Sequence, residues 1–268
     1  MNDPAIITLL TDFGSLDCYT GCIKGVILSI NPSARIVDVS HDIQPFNLTS
    51  ASYLITTYYK LFPSGTVHVA VVDPGVGGVR DPIAVSFEGY VFILPDNGLL
   101  TMTLEGRRDD FKARRIENPS VMREKISHTF HGRDIFAPAA AHVSLGVPFE
   151  NLGPETFRIE TIENLHVSTT PNSITGAIVH IDRFGNYITN IKEKQLERFD
   201  PATLSVRLGR FTLLGLNRTF SDKDPGELLA YIGSGGRLEI AVSKGSAADV
   251  VKLSSGAEVT VRGKEPAA

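Results

Sequence analysis

Residues 67–72, VHVAVV, form an almost uninterrupted apolar, β-branched run that ends in Asp73-Pro74-Gly75. A strand of that composition is buried on both faces of a sheet. It is also the third strand of an alternation. Residues 6–10 read as a first strand, and residues 19–30 as a helix capped by Ser15 or Asp17. Residues 35–39 read as a second strand, followed by a helix over about 49–61 that Asn47 caps and Pro63-Ser64-Gly65 ends. Strand, helix, strand, helix, strand is the pattern of a parallel sheet covered by helices. Such sheets hold ligands at the carboxyl ends of their strands, which is where Asp73 falls. Gly75, Gly77 and Gly78 then let the backbone fold back and bring Arg80 towards Asp73. The alternative is a tight turn with a surface ion pair.

Past this point the pattern changes. Residues 83–87 and 90–94 predict a hairpin turned at Glu88-Gly89, so the sheet is mixed though mostly parallel. Pro95-Asp96-Asn97-Gly98 is a turn at a strand end, leading into a short helix through Leu104. Residues 107–115 are charged and read as a surface excursion. A helix follows over 132–145, bent or delayed by Pro138. Residues 151–172 lack any period and read as a linker between an α/β domain (1–150) and a second domain (173–268). That second domain shows short strands near 174–181, 187–191, 204–208, 211–214, 228–232, 238–242, 250–253 and 259–261, the texture of a small all-β barrel or sandwich.

A length of 268 residues suits one large domain or two modest ones. The net charge of −4 argues against nucleic acid or an anionic membrane as the main partner. No apolar run is long enough to span a membrane. The first ten residues carry an acid where a signal peptide would be basic, so a cytoplasmic location is expected. Cys18 and Cys22, four apart, fit neither a redox motif nor a zinc-ligand pair and read as reduced, mostly buried thiols.

Acids fall at four strand ends: Asp12 with Asp17, Asp42, Asp73 with Arg80, and Asp96. Asp12, after the first strand, suits either the two hydroxyls of a ribose or the cap of a turn. His128-Thr129-Phe130-His131-Gly132-Arg133-Asp134 is the densest polar cluster. His128, His131 and Asp134 could hold a metal, but no completing ligand set is evident. The other reading is a polar helix start whose Asp134 interacts with first-turn N–H groups. Asp12-Phe13-Gly14 and His131-Gly132-Arg133-Asp134 have the wrong order and spacing for a protein kinase. The glycines at 75, 77 and 78 form neither a dinucleotide fingerprint nor a phosphate loop. In the second domain, Phe184 beside Asn186 offers a stacking face and an amide to a base, or simply a hairpin. Ser234-Gly235-Gly236 could hold a carboxylate, or make a turn.

Seven segments taken together resemble one family, the S-adenosylmethionine hydroxide adenosyltransferases, relatives of the fluorinating and chlorinating adenosyltransferases. They are TDFGSLDCYTGCIKG, VDVSHDIQPFNLTSASYLI, FPSGTVHVAVVDPGVGGVR, LPDNGLL, FHGRDIFAPAAAHV, IDRFGNYITNI and SGGRLEIAVSKGSAA. The resemblance implies an α/β domain followed by a barrel-like β domain. It implies hydrolysis of S-adenosyl-L-methionine to adenosine and methionine, without a cofactor or metal. It further implies a homotrimer whose small-molecule site lies between the first domain of one subunit and the second domain of its neighbour. Carried over residue by residue, the catalytic Asp, Arg and His fall on Asp73, Arg80 and His131. The ribose-binding acid falls on Asp12, and an acid near the methionine amino group on Asp17. Asp182, Phe184 and Asn186 match the turn that handles the adenosyl and methionine parts. Ser234 matches a residue near the methionine carboxylate, and Phe220 an adenine-stacking aromatic. Glu239 and Val242, in the same matched segment as Ser234, are carried over as substrate-binding. Phe46 stands where the halogenating relatives carry Trp. Those relatives lack the Asp-Arg-His set and carry a long insertion not seen here between Phe87 and Phe130, which favours water over halide as nucleophile. A halide-using enzyme, a non-catalytic adenosine-binding protein and a metal-dependent hydrolase are the competing readings.

Overall fold

The computed structural model describes residues 5–107, 110–163, 165–201 and 203–264. The chain divides into two compact units, Met1–Ile162 and Glu163–Ala268. In the first unit the elements run β1 (Ile6–Thr11), α1 (Tyr19–Ile30), β2 (Arg35–Ser40), α2 (Leu48–Tyr58), β3 (Val67–Val71), β4 (Pro82–Phe87), β5 (Tyr90–Pro95), β6 (Lys112–Arg115), α3 (Ala137–Ser144) and β7 (Glu155–Thr156). They build a sheet of order β2-β1-β3-β5-β4-β6-β7.

β3 lies inside this sheet, and both of its faces are covered. Val67, Val69 and Val71 pack with Ile23 and Ile27 of α1 and the alanines of α3. Ala70 and Val72 face the other way, against Ala51, Ile55 and Tyr58 of α2. That is why this strand shows no polar alternation. The sheet is mixed, but less parallel than expected. β1–β2, β1–β3 and β3–β5 are parallel, while β4–β5, β4–β6 and β6–β7 are antiparallel.

Several local expectations are corrected in this unit. Residues 112–115, assigned to a charged excursion, form β6 because Ala113 is buried against the sheet, between exposed Lys112 and an Arg114 that donates to the Gly153 carbonyl at 2.9 Å. Arg108 and Asp109 of that stretch lie outside the described residues. The helix expected through Leu104 is a series of turns. Within 151–172, residues 155–156 join the sheet as β7 and residues 168–170 pair in the second unit, so the stretch is not free of secondary structure. At α1, Cys18 rather than Ser15 or Asp17 occupies the N-cap, with no side-chain cap; at this helix start Cys18 is exposed and Cys22 half-buried, so the thiols are not the mostly buried pair expected. Asn47 caps α2 as expected, accepting from the N–H of Ser50 at 3.0 Å. Pro138 does delay its helix. Gly132–Phe136 is a single π-helical turn, α3 starts only at Ala137, and the Asp134 carbonyl that Pro138 cannot bond accepts from the N–H of Arg123 at 3.0 Å instead.

The strands described in the second unit pair antiparallel throughout, with two short α-helices and a 3₁₀ turn at Phe220–Asp222 between them. It comprises β8 (Ser168–Thr170), β9 (Ser173–Ile181), β10 (Tyr187–Lys192), α4 (Glu193–Leu196), β11 (Ser205–Leu208), β12 (Phe211–Leu214), β13 (Leu228–Ile232), β14 (Arg237–Val242), α5 (Ala247–Val251) and β15 (Glu258–Arg262). The order β12-β11-β15-β9-β10-β14-β13, with β8 on β9, curls into a nearly closed, barrel-like sheet. Inward residues such as Ile178, Tyr187, Val206, Leu238 and Val261 fill it. Of the strand expected at 250–253, residues 250–251 end α5 and Lys252 is its left-handed C-cap. Ser246 caps that helix by accepting from the N–H of Asp249 at 3.1 Å, and this cap outweighs a short apolar run.

Candidate active site

The carboxyl ends of β1 and β3 open on a cleft of about 620 Å³ in the first unit. Asp12 and Asp73 line it from the strand ends, and His131 from the start of the π-helical turn. Asp73 and Arg80 form a bidentate pair, with Nε of Arg80 3.0 Å from both carboxylate oxygens and Nη2 also on Oδ2. Nη2 reaches on to Nδ1 of His131 at 2.8 Å. Arg80 thus bridges the aspartate and the histidine. It does so from behind, because it does not line the cleft and stacks 5.5 Å from the Phe136 ring. Side-chain exposures of 9% for Arg80 and 5% for Asp73 make the pair nearly buried, well beyond a surface turn with an incidental ion pair.

Two glycines make this approach possible. A Cβ on Gly77 would lie 2.2 Å from the carbonyl oxygen of His128, so the glycine turn packs backbone to backbone on the histidine segment. Gly77 also has φ +76, a region that favours glycine. Gly132 sits under Phe13 and Ile23, at 3.4 and 3.3 Å from where its Cβ would be.

The electrostatics assign protonation states. A guanidinium has donors only, so Nδ1 of His131 must accept and the ring carries its proton on Nε2. Burial and then the charge of Arg80 push the His131 pKa below its ordinary value. Asp12 accepts from the N–H of Phe46 at 2.9 Å, and burial, with a smaller contribution from Asp73, raises its pKa. Phe46 is held at φ +67 and is 67% exposed at the rim of the cleft.

Other acids do not converge there. Asp17 and Asp42 are exposed and are not among the cleft-lining residues. Asp96 accepts from the N–H of Glu160 at 2.7 Å, and burial raises its pKa to about 6. Asp134 is fully buried and turned to other work than holding a metal or first-turn N–H groups. It accepts from the Ser127 N–H at 2.9 Å and from Arg133 at 2.7 and 2.8 Å, and these bonds hold its pKa at about 2. Among the described residues no three His, Cys, Asp or Glu side chains gather as a metal site.

Sequence reasoning missed the aromatic wall of the cleft. Phe13, Tyr19 and Phe130 meet edge to face at 5.3–6.0 Å, and Arg133 lies 5.0 Å over Phe130. Nothing in their spacing links them, although the adjacent pair Arg133-Asp134 was visible.

In the second unit, Asp182 is the hub of the turn it opens. Its Oδ1 accepts from the N–H groups of Phe184 (2.9 Å) and Asn186 (2.8 Å), and its Oδ2 from the Asn186 amide at 2.9 Å. This leaves Phe184 76% exposed with its ring presented outward. Phe220 stacks on Tyr231 at 4.9 Å, and Tyr231 donates its hydroxyl proton to Glu239. Burial raises the pKa of Glu239. Its carboxylate packs where a Cβ on Gly233 would lie, 1.9 Å from Oε1. Ser234 is exposed in the β13–β14 turn, whereas the Val242 side chain belongs to the barrel core.

A family model described as the SAM hydroxide adenosyltransferase N-terminal domain matches residues 7–153, and the C-terminal domain of the same description matches residues 176–260. An (R)-S-adenosyl-L-methionine hydrolase of Thermus thermophilus is 36% identical over 268 residues, 94% of this chain and 98% of that protein. The crystal structure of a conserved protein from Thermotoga maritima is similar with TM-score 0.88 and 38% identity, covering 96% of this chain and 99% of the other. A fluorinase of Nocardia brasiliensis is 31% identical over 297 residues, 96% of each chain.

Proposed function

The chain belongs to the SAM hydroxide adenosyltransferase family, and we propose that it hydrolyses S-adenosyl-L-methionine to adenosine and L-methionine. Water attacks ribose C5′ in line, the C5′–S bond breaks, and the sulfur leaves with the bonding electron pair as a neutral thioether. No acid is needed on the leaving side. The barrier lies in the nucleophile, a water whose pKa in bulk is about 15.7.

The observation that carries this reading is the bridge from Asp73 through Arg80 to His131 at the cleft. With Nδ1 occupied by Arg80, His131 is no base. Its Nε2–H donates to the water oxygen and steadies the hydroxide character that develops there. Asp73 takes the proton. Its Oδ1 accepts only the Arg80 Nε bond among the described residues, which leaves it lone-pair capacity. Arg80 sets the distance between the two groups instead of sharing the hydroxide directly. Positioning of this kind lowers a barrier by several kcal/mol, and a general base adds about 10²–10⁴-fold.

Asp12 keeps one carboxylate oxygen for a ribose hydroxyl while the other holds Phe46. Asp17, Asp182, Phe184, Asn186, Phe220, Ser234, Glu239 and Val242 are proposed to serve the remaining parts of the substrate. The same reading has the protein working as a homotrimer with sites at subunit interfaces, in the cytoplasm and without a cofactor. No helix among the described residues is long and apolar enough to cross a membrane.

Halide use is the competing chemistry, because fluorinases are among the relatives. Incubation of the purified protein with S-adenosyl-L-methionine, with and without chloride or fluoride, separates the two. Adenosine and methionine in halide-free buffer are expected. A halogenated nucleoside formed only with halide would overturn hydrolysis, and an intact ligand would favour a binding protein. Activity that survives a chelator is the expected result for metal-free chemistry.

A further inference from the structure

The charged groups around the cleft are arranged in pairs, with one exception. Asp73 is neutralised by Arg80, and His131 accepts from the same guanidinium, with burial and then that charge favouring its neutral form. Arg133 also lines the cleft, yet its guanidinium is forked onto Asp134 through Nε and Nη2. Asp134 itself is fully buried and does not touch the cleft. A second cation, Arg123, is farther from it, with Nη1 at 3.6 Å, and is half exposed to solvent. Among the lining residues this leaves Asp12 as the carboxylate with no cationic partner.

We infer that Asp134 is a specificity-determining residue: by cancelling Arg133 from behind, it keeps the cleft's balance of charge negative and so favours a ligand bearing a positive sulfonium over its neutral thioether counterpart. The inference rests on the hydrolase reading for the identity of the cation. Without Asp134, Arg133 would present an uncompensated charge beside Phe130, in a site where Asp12 alone would oppose it. Opposite charges attract less through a wet cleft than a dry one, but even a partly screened guanidinium several ångströms away repels a cation measurably. Asp134 also accepts from the Ser127 N–H and so steadies the loop that leads to His131. That structural duty would affect all ligands alike, and this difference makes the charge role testable.

The experiment measures affinity, by calorimetry, for S-adenosyl-L-methionine and for S-adenosyl-L-homocysteine, which lacks the charged methylsulfonium. Three variants are compared with wild type: Asp134→Asn, Arg133→Gln and the double substitution. Asp134→Asn is expected to lower the preference for the sulfonium by roughly fivefold or more. Arg133→Gln, which leaves Arg123 3.6 Å from Asp134 as the remaining cation, is expected to raise that preference. The double variant is expected to return it near the wild-type ratio. If Asp134→Asn does not fold, the Arg133→Gln arm still decides. An unchanged ratio in Arg133→Gln, or equal weakening of both ligands in Asp134→Asn, would overturn the inference. Failure of wild type to bind either ligand would instead remove the hydrolase reading beneath it.

Discussion

Nη2 of Arg80 lies 2.8 Å from Nδ1 of His131, and an arginine can only donate across that distance. The imidazole is therefore a neutral ring that accepts on one side and donates on the other. Glutamine can imitate that pattern, since its carbonyl accepts and its amide donates. His131→Gln is expected to keep kcat within about tenfold of wild type, while His131→Ala loses roughly 10²–10³-fold, as for removal of one preorganised donor. Steady-state kinetics of the two variants decides. Equal losses in both would mean that His131 moves a proton after all.

The pH profile tests the same bond. Burial and Arg80 hold the His131 pKa below the ordinary 6.5, so the ring is neutral at and above that pH. Activity should stay level as pH is lowered to 6.5 and decline only further down, when protonation of Nδ1 ejects Arg80. An activity that rises as His131 gains its proton would contradict the assignment.

Asp73 is the proposed base, with Arg80 holding it in register. Asp73→Asn is expected to lower kcat by about 10²–10⁴-fold with little change in KM. Arg80→Lys keeps the charge but cannot fork onto Asp73 while reaching His131. It should also lose kcat, by about tenfold or more, and leave KM much less affected. Wild-type turnover in either variant would exclude its residue from the reaction.

Gly77→Ala should fail through packing. The added carbon meets the His128 carbonyl at 2.2 Å, and the residue has φ +76, a strained region for alanine. A loss of about 2 kcal/mol or more is expected, with a lower Tm and lower activity, because the turn and the histidine segment must separate. Thermal melts of this variant and of Gly21→Ala, whose Cβ meets nothing within 4 Å, form the comparison.

Acid stability should fall in two stages. His68 is fully buried, and burial lowers its pKa from 6.5 to about 4. The unfolded chain binds that proton first, so stability is full above pH 6.5 and declines between 6.5 and about 4, by about 3 kcal/mol. Asp134 has the opposite chemistry but the same direction. Its pKa is lowered from 3.8 to about 2, so its share, about 2 kcal/mol, is present above pH 4 and lost as pH falls towards 2. Denaturant midpoints measured against pH should show the first decline disappear in His68→Gln, once the mutant's own lower baseline is subtracted.

Periodicity and turn residues were enough to read the β1-α1-β2-α2-β3 order, the change to short strands beyond residue 172 and the cap of α2 by Asn47. All of these depend on neighbours a few residues apart, where hydrophobic period and capping act. The run 67–72 likewise announced a strand covered on both faces, and it is one. Residues 112–115 and 250–253 depart from expectation because strand pairing on both sides and a serine cap, not local apolarity, decided their state.

The site was legible as residue types only. Asp73, Arg80 and His131 could be named from the sequence, but not that Arg80 stands between the other two and fixes the histidine's tautomer. That arrangement depends on Gly77 closing against His128, a contact between segments about fifty residues apart. The neutralising of Arg133 by a buried Asp134 is also set by packing. Local sequence fixes which groups are present and on which element. Protonation and charge balance depend on distance and burial, and only the folded chain sets those.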